Sequence, residues 1–399
     1  MKTDLATFTR EAFEIWQWHA DAAFQQWMRN PLLLSAQRSW IQHLLPVYAE
    51  FRRVNQRLTG VPSLPEALCR ETSRNLAACL DLKPTAHTIA LELGKMRLRH
   101  FRPARLAKPS YPLVIVTSLV NRWYLLDLAP GRSLVEFLTQ NGIEVFVVDW
   151  GEIDETDSQI TFDTLVLSYL PQVLHEVCAR TKRQQVDLLG YSMGGVLSLI
   201  CSALNPALVR RLALFATPVD FSQAGFVSEW LHPEQLDIDD FIATLGNMPS
   251  EFVLASFRGM KPVSNATLPW NLWLNADSAE NLKVLLALEC WFNDSVDIPG
   301  TFYRQFVAST YQKNQLFQNR LKIGSRRVRL DSITCPVLNV IGEKDQVVPF
   351  AAAAALAQHI PADAYHQALF PYGHLSLSVS GGAKNQVWPQ LLQWLRSSV

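Results

Sequence analysis

Val186-Asp187-Leu188-Leu189-Gly190-Tyr191-Ser192-Met193-Gly194-Gly195 reads as a short buried strand running into Gly-x-Ser-x-Gly, and Val196-Leu197-Ser198-Leu199-Ile200 follows as an apolar helix start. A serine between such a strand and helix sits on a strained turn that holds its hydroxyl clear of the backbone. Gly190 and Gly194 belong there because a Cβ at either position would strike the neighbouring strand or helix. The Met193 N–H, at the start of the helix, is expected to face the oxygen of any carbonyl that Ser192 attacks, and the helix N-terminus favours the charge that develops there.

Outward from that elbow the chain alternates. Thr88 to His100 has the pattern of a hairpin, and Leu113–Thr117, Glu144–Val148, Val186–Leu189, Leu212–Phe215 and Val337–Ile341 are apolar runs of strand length. Helix-compatible segments separate them at Ser133–Asn141, Leu165–Thr181 and Val196–Leu204. Apolar strands alternating with helices predict a mostly parallel sheet covered on both faces, and with the elbow this is the α/β-hydrolase fold. Residues 219–310 interrupt the alternation with Phe221, Trp230, Phe257, Trp273, Trp291 and other aromatics, which suits a helical cap over the nucleophile; the plainer reading is a helical insertion with its own core. Residues 4 to about 85 look helical, with Phe13, Trp16, Phe24, Trp27 and Met28 at helical spacing, suited to packing on their own segment or to facing a partner or lipid. The expected organisation is a helical segment over 1–87, core over 88–218, cap over 219–310 and core again over 311–399.

A serine hydroxyl needs a base, and the base needs an orienting carboxylate; in this fold they follow in the order serine, acid, histidine. Val337–Ile341 leads into Gly342-Glu343-Lys344-Asp345, where Asp345 is preferred to Glu343 as the acid. Phe370-Pro371-Tyr372-Gly373-His374 supplies the base, with Gly373 expected to permit a tight turn. His359, His366, His175, His19, His43, His87, His100 and His232 are expected to be surface or packing histidines. The loop Ser118-Leu119-Val120-Asn121-Arg122 should give a second oxyanion donor, the Val120 N–H, while Asp149 is expected to cap a turn or helix.

Composition narrows the function further. Thirty-six basic and thirty-six acidic residues leave no net charge, so a nucleic-acid surface is not indicated. Cys69, Cys79, Cys178, Cys201, Cys290 and Cys335 are scattered through mostly apolar runs, which favours buried thiols in a reducing compartment. No metal-ligand spacing, dinucleotide or phosphate-loop motif occurs, and no apolar stretch is of transmembrane length. The start Met1-Lys2-Thr3-Asp4 lacks a signal-peptide core, so a cytoplasmic protein is expected.

Several segments together resemble the polyhydroxyalkanoate synthases, most closely the catalytic subunit of the class III enzymes. They are Val120-Asn121-Arg122 with Tyr124-Leu125-Leu126-Asp127-Leu128 and Pro130, Val148-Asp149-Trp150-Gly151, Trp291-Phe292-Asn293-Asp294, Tyr303-Arg304-Gln305-Phe306, Glu343-Lys344-Asp345, and Gly373-His374 with Val379-Ser380-Gly381. The resemblance runs from about residue 88 to the C-terminus; the N-terminal helices match less well. It implies transfer of 3-hydroxyacyl groups from coenzyme A to a growing polyester, with coenzyme A entering as part of the substrate and no other cofactor. It also implies that His374 deprotonates the nucleophile and the incoming hydroxyl, and that Asp345 orients His374 or assists that hydroxyl. The family's nucleophile is a cysteine, and Ser192 stands in its place. A thiolate exchanges with a thioester at little cost, whereas a serine makes a lower-energy oxygen ester, so onward transfer has to compete with water. Three readings follow: a synthase-type acyltransferase, a serine hydrolase (esterase, thioesterase or polyester depolymerase), and a granule-associated or partner-binding protein using the Trp-rich N-terminal helices. Expected partners are hydroxyacyl-CoA or polyester, with a second copy, an accessory subunit or a polymer-granule surface as candidates for association.

Overall fold

Leu113-Val114-Ile115-Val116 shows how the sheet is covered. All four residues are buried, Val114 and Val116 in the core on one face and Leu113 and Ile115 in the core on the other. Side chains alternate across a strand, so a strand apolar at every position needs helices on both faces. The computed structural model describes residues 84–106, 111–261 and 279–397, with the single positions 20, 82 and 266. The expected N-terminal helices and Cys69 and Cys79 lie outside the described residues, apart from those single positions.

The main sheet has eight strands: β1 Thr88–Leu93, β2 Met96–Phe101, β3 Leu113–Val116, β4 Val145–Asp149, β5 Val186–Tyr191, β6 Val209–Phe215, β7 Val337–Gly342 and β8 Tyr365–Phe370. Their spatial order is β1-β2-β4-β3-β5-β6-β7-β8. β1 and β2 form the expected antiparallel hairpin, turned at Gly94 with φ +60°, and β2 joins β4 antiparallel. Every later pairing is parallel. This is the α/β-hydrolase arrangement expected from the sequence.

The main helices that position the site are α1 Leu134–Gln140, α2 Leu170–Thr181, α3 Met193–Leu204, α4 Gly225–Trp230, α5 Ile238–Leu245, α6 Ser250–Met260, α7 Ala279–Asn293, α8 Gly300–Ser309 and α9 Trp388–Arg396. Ser133 caps α1, its hydroxyl accepting from Glu136 N at 2.8 Å. Leu165 to Thr181, expected as one helix, opens instead with a wide π-type turn over Thr164–Tyr169 before α2 begins. Pro171 accounts for this: it has no N–H to give and its ring crowds the carbonyl four residues back. α2 and α3 cover one face of the sheet, while α1 and α9 cover the other.

Between β6 and β7 the described chain is largely helical. Within it Met248 and Ile298 exchange two backbone hydrogen bonds, of 2.9 and 3.0 Å, that join two segments distant in the chain. Among its described residues, Phe241, Met248, Val253, Phe302 and Phe306 join the core on one face of the sheet, and Ala287 and Trp291 join the other. After residue 310 the main sheet does not resume until Val337; a two-stranded ribbon, Lys322–Ile323 with Arg326–Arg327, lies between. Among the described residues no helix is long and apolar enough to cross a membrane, and no group of three or more His, Cys, Asp or Glu could hold a metal ion.

Candidate active site

β5 ends at Tyr191 and α3 begins at Met193, which leaves Ser192 alone at the bend with φ 54° and ψ −120°. The turn is pinned from both sides, Ser192 N donating to Phe215 O at 2.9 Å and Gly195 N to Ser192 O at 2.9 Å. A Cβ on Gly190 would run into Gly195 Cα, and one on Gly194 would strike the Val116 carbonyl of the neighbouring strand. Both glycines are there for want of space, as the sequence suggested. A serine preceding a helix commonly caps it, but the Ser192 hydroxyl makes no capping bond, so it stays available for chemistry. The Met193 N–H, first in the helix, has no intrahelical acceptor.

Asp345 follows β7 and His374 follows β8, so both lie with Ser192 beyond the carboxyl ends of the parallel strands. Asp345 Oδ1 accepts from Val347 N and Val348 N at 2.9 Å each, and Oδ2 faces His374 Nδ1 at 2.7 Å. An ionised carboxylate can only accept, so Nδ1 carries the hydrogen and a neutral His374 keeps its Nε2 lone pair. Both residues are buried, at 5% and 7% exposure, whereas Glu343 is exposed. Tyr191 steadies the histidine loop by donating to His374 O at 3.0 Å, a contact that no local pattern foretold. Gly373 does not take a positive φ; a Cβ there would lie 3.3 Å from Lys344 O, so its lack of a side chain serves close approach of two loops.

Ser192 and His374 line the same cavity of about 240 Å³, but no hydrogen bond joins them. Such bonds are often long in the free enzyme and tighten when substrate is bound. The cavity walls are mainly apolar, including Trp123, Leu126, Phe257, Leu288, Trp291 and Phe292, with Lys261 and Glu289 among the polar residues. Burial pushes the Glu289 carboxyl above its ordinary range. None of the other described histidines lines this cavity: His100 pairs with Glu144, His87 with Arg99, and His359 packs against Phe317. None of the four described cysteines lines it either, and burial pushes the Cys201 and Cys335 thiols up to about 12.

Val120 follows β3 and borders Ser192, its N–H occupied by Ser118 Oγ at a long 3.3 Å. The rest of its loop is tied to the end of α7. Arg122 contacts Asp294 at 3.2 Å, Tyr124 donates to Asp294 Oδ2 at 2.8 Å, Trp291 Nε1 donates to Arg122 O at 2.9 Å, and Asn121 reaches Ser295 Oγ at 3.2 Å. The sequence marked both segments but gave no reason to join them across 172 residues. Asp149 does not line the Ser192 cavity; it accepts from Gly151 N and pairs with Arg99 at 2.7 Å, a turn-capping role as expected.

The fold and this site define an α/β-hydrolase-type enzyme, and the alpha/beta hydrolase fold family matches residues 111–380. A putative lipase from Sulfolobus solfataricus shares the fold, with a TM-score of 0.51 at 15% identity over 79% of this chain and 97% of that one. Two relatives are much closer in sequence. The poly(3-hydroxyalkanoate) polymerase subunit PhaC of Thiocystis violacea is 35% identical over 299 residues, 74% of this chain and 84% of that protein. Its counterpart from Haloferax mediterranei is 33% identical over 312 residues, 78% of this chain but 63% of that longer protein. The chain belongs to the polyhydroxyalkanoate synthase family, and it is an acyltransferase-type enzyme.

Proposed function

We propose that this protein transfers 3-hydroxyacyl groups from coenzyme A thioesters to a hydroxyl acceptor or growing polyester, with Ser192 as nucleophile. The observation that carries this reading is a free serine hydroxyl at the elbow, sharing one cavity with a histidine held by a buried aspartate, in a chain of this family. Ser192 Oγ attacks the thioester carbonyl carbon while His374 Nε2 takes its proton. The oxyanion forms against the Met193 N–H and, once Val120 releases Ser118, the Val120 N–H. The carbon–sulfur bond breaks, His374 returns the proton to the coenzyme A sulfur, and a serine ester remains. The acceptor hydroxyl then loses its proton to His374 and attacks the same carbon; the bond to Ser192 breaks and Oγ is reprotonated. Coenzyme A arrives with the substrate, and these steps ask for no resident cofactor.

Hydrolysis is the second reading, and the serine itself favours it. Forming an oxygen ester from a thioester runs downhill, so the acyl-enzyme survives for transfer only where water is kept out. The apolar lining of the Ser192 cavity supports transfer. The test is incubation of the purified protein with 3-hydroxybutyryl-CoA, following free thiol and products together. Thiol release with polymer or an extending acyl-protein is expected, and release of free hydroxy acid alone would establish the hydrolase. Ser192→Ala should abolish both thiol release and acyl-protein; unchanged turnover would refute the assignment of the nucleophile.

A further inference from the structure

Ser192 also borders a second cavity, of about 130 Å³, which shares Val120, Phe257, Met260 and Val347 with the first but does not include His374. Most of its wall is apolar, with Phe226, Met248, Val253 and Ile298 contributing. Besides Ser192, the polar side chains in that wall are Ser256, which donates to Phe252 O at 2.8 Å, and Trp230, Tyr303 and Tyr311. Trp230 Nε1 is buried without a hydrogen-bond partner, and the hydroxyls of Tyr303 and Tyr311 have none among the described residues. Burial holds both phenols above their ordinary value, so they stay protonated and able to donate. A buried donor left unpaired costs about 1–3 kcal/mol, which a ligand oxygen would offset.

The position of His374 divides the labour of the two cavities. The leaving sulfur and the acceptor oxygen must both exchange protons with His374 Nε2, so both belong in the first cavity. The carbon chain of the acyl group is then left for the second. We propose that the second cavity holds the 3-hydroxyacyl chain of the Ser192 ester and recognises its β-oxygen through Trp230 Nε1, Tyr303 and Tyr311. The chemistry is matched: an indole N–H can only donate, while a tyrosine hydroxyl both donates and accepts, so together they satisfy a hydroxyl's lone pairs and its hydrogen. A plain acyl chain would leave these groups unpaired, and the site discriminates against it.

This inference rests on the acyl-serine reading above but is tested without coenzyme A. Release of p-nitrophenolate from p-nitrophenyl 3-hydroxybutyrate and from p-nitrophenyl butyrate reads acylation of Ser192 whatever the natural leaving group. The readout is the ratio of the two kcat/KM values, which a merely structural role would leave in place. The hydroxylated ester should be preferred, and Tyr303→Phe, Tyr311→Phe and Trp230→Phe should each shrink the preference, by up to about tenfold. A wild-type ratio near one, a ratio unmoved in all three variants, or no release from either ester would overturn the assignment. If the ratio shrinks as expected but 3-hydroxybutyryl-CoA is no donor, the thioester reading fails and the pocket stands. Thiol release with an unmoved ratio gives the reverse.

Discussion

Ser192 holds backbone angles that an L-residue rarely adopts, at a cost of about 1–3 kcal/mol that the surrounding hydrogen bonds and glycine contacts sustain. The strain keeps the hydroxyl out of the helix cap and in the cavity. At this scale the sequence was highly legible: Gly-x-Ser-x-Gly, Gly-x-x-Asp and Gly-His are local signals because each residue's place depends on its immediate neighbours. Asp345 and Glu343 differ by two positions in one loop, yet only Asp345 turns inward to meet Val347 N, Val348 N and His374. Asp345→Asn should therefore preserve packing but favour the wrong imidazole tautomer. It is expected to lower kcat for thiol release about 10³–10⁴-fold with little change in thermal stability. A loss below tenfold would show that the carboxylate does not orient His374.

At the scale of elements, the loop after β3 is held by the end of α7. Arg122 and Asp294 have side chains only 11% and 19% exposed, and Tyr124 completes the cluster; burial and the adjacent carboxylate hold its phenol far above the ordinary value. The loop that carries the proposed Val120 donor is thus held by residues far along the chain. Asp294→Ala leaves Arg122 with Glu152, itself 60% exposed, as its remaining carboxylate. The expected destabilisation is about 1–3 kcal/mol by denaturant titration, with kcat reduced by more than the stability loss explains. Unaltered kcat in the folded variant would remove this cluster from any part in positioning the oxyanion loop. Strand and helix types were legible because β3 is apolar at every position and β4 and β5 carry one charged residue each, Asp149 and Asp187, in otherwise buried strands. The loosened start of α2 was not foreseen, since apolar periodicity is blind to the hydrogen bond that Pro171 removes.

Across the whole molecule, two cores sandwich the sheet, and the helices between β6 and β7 extend both cores over the nucleophile. The far core also reaches the histidine loop. Trp388 on α9 is 1% exposed, packs against Phe137 of α1 at 5.7 Å between ring centroids, and donates to Ser378 O at 2.9 Å, four residues beyond His374. Trp388→Ala should cost about 3–5 kcal/mol in chemical denaturation and lower activity through the loosened loop. A cost under 1 kcal/mol would show that α9 is dispensable to the core. By itself the sequence determined the α/β-hydrolase fold, the order of strands and helices along the chain, and the choice of Ser192, Asp345 and His374 as candidates, because these rest on short-range patterns of polarity and backbone demand. Only the tertiary structure decided that Arg122 meets Asp294, that Tyr191 holds the His374 loop, and that Ser192 borders two cavities with Trp230, Tyr303 and Tyr311 around one of them. Those relations depend on how segments distant in the chain pack, and cavity shape is a property of the packed whole that no local pattern encodes.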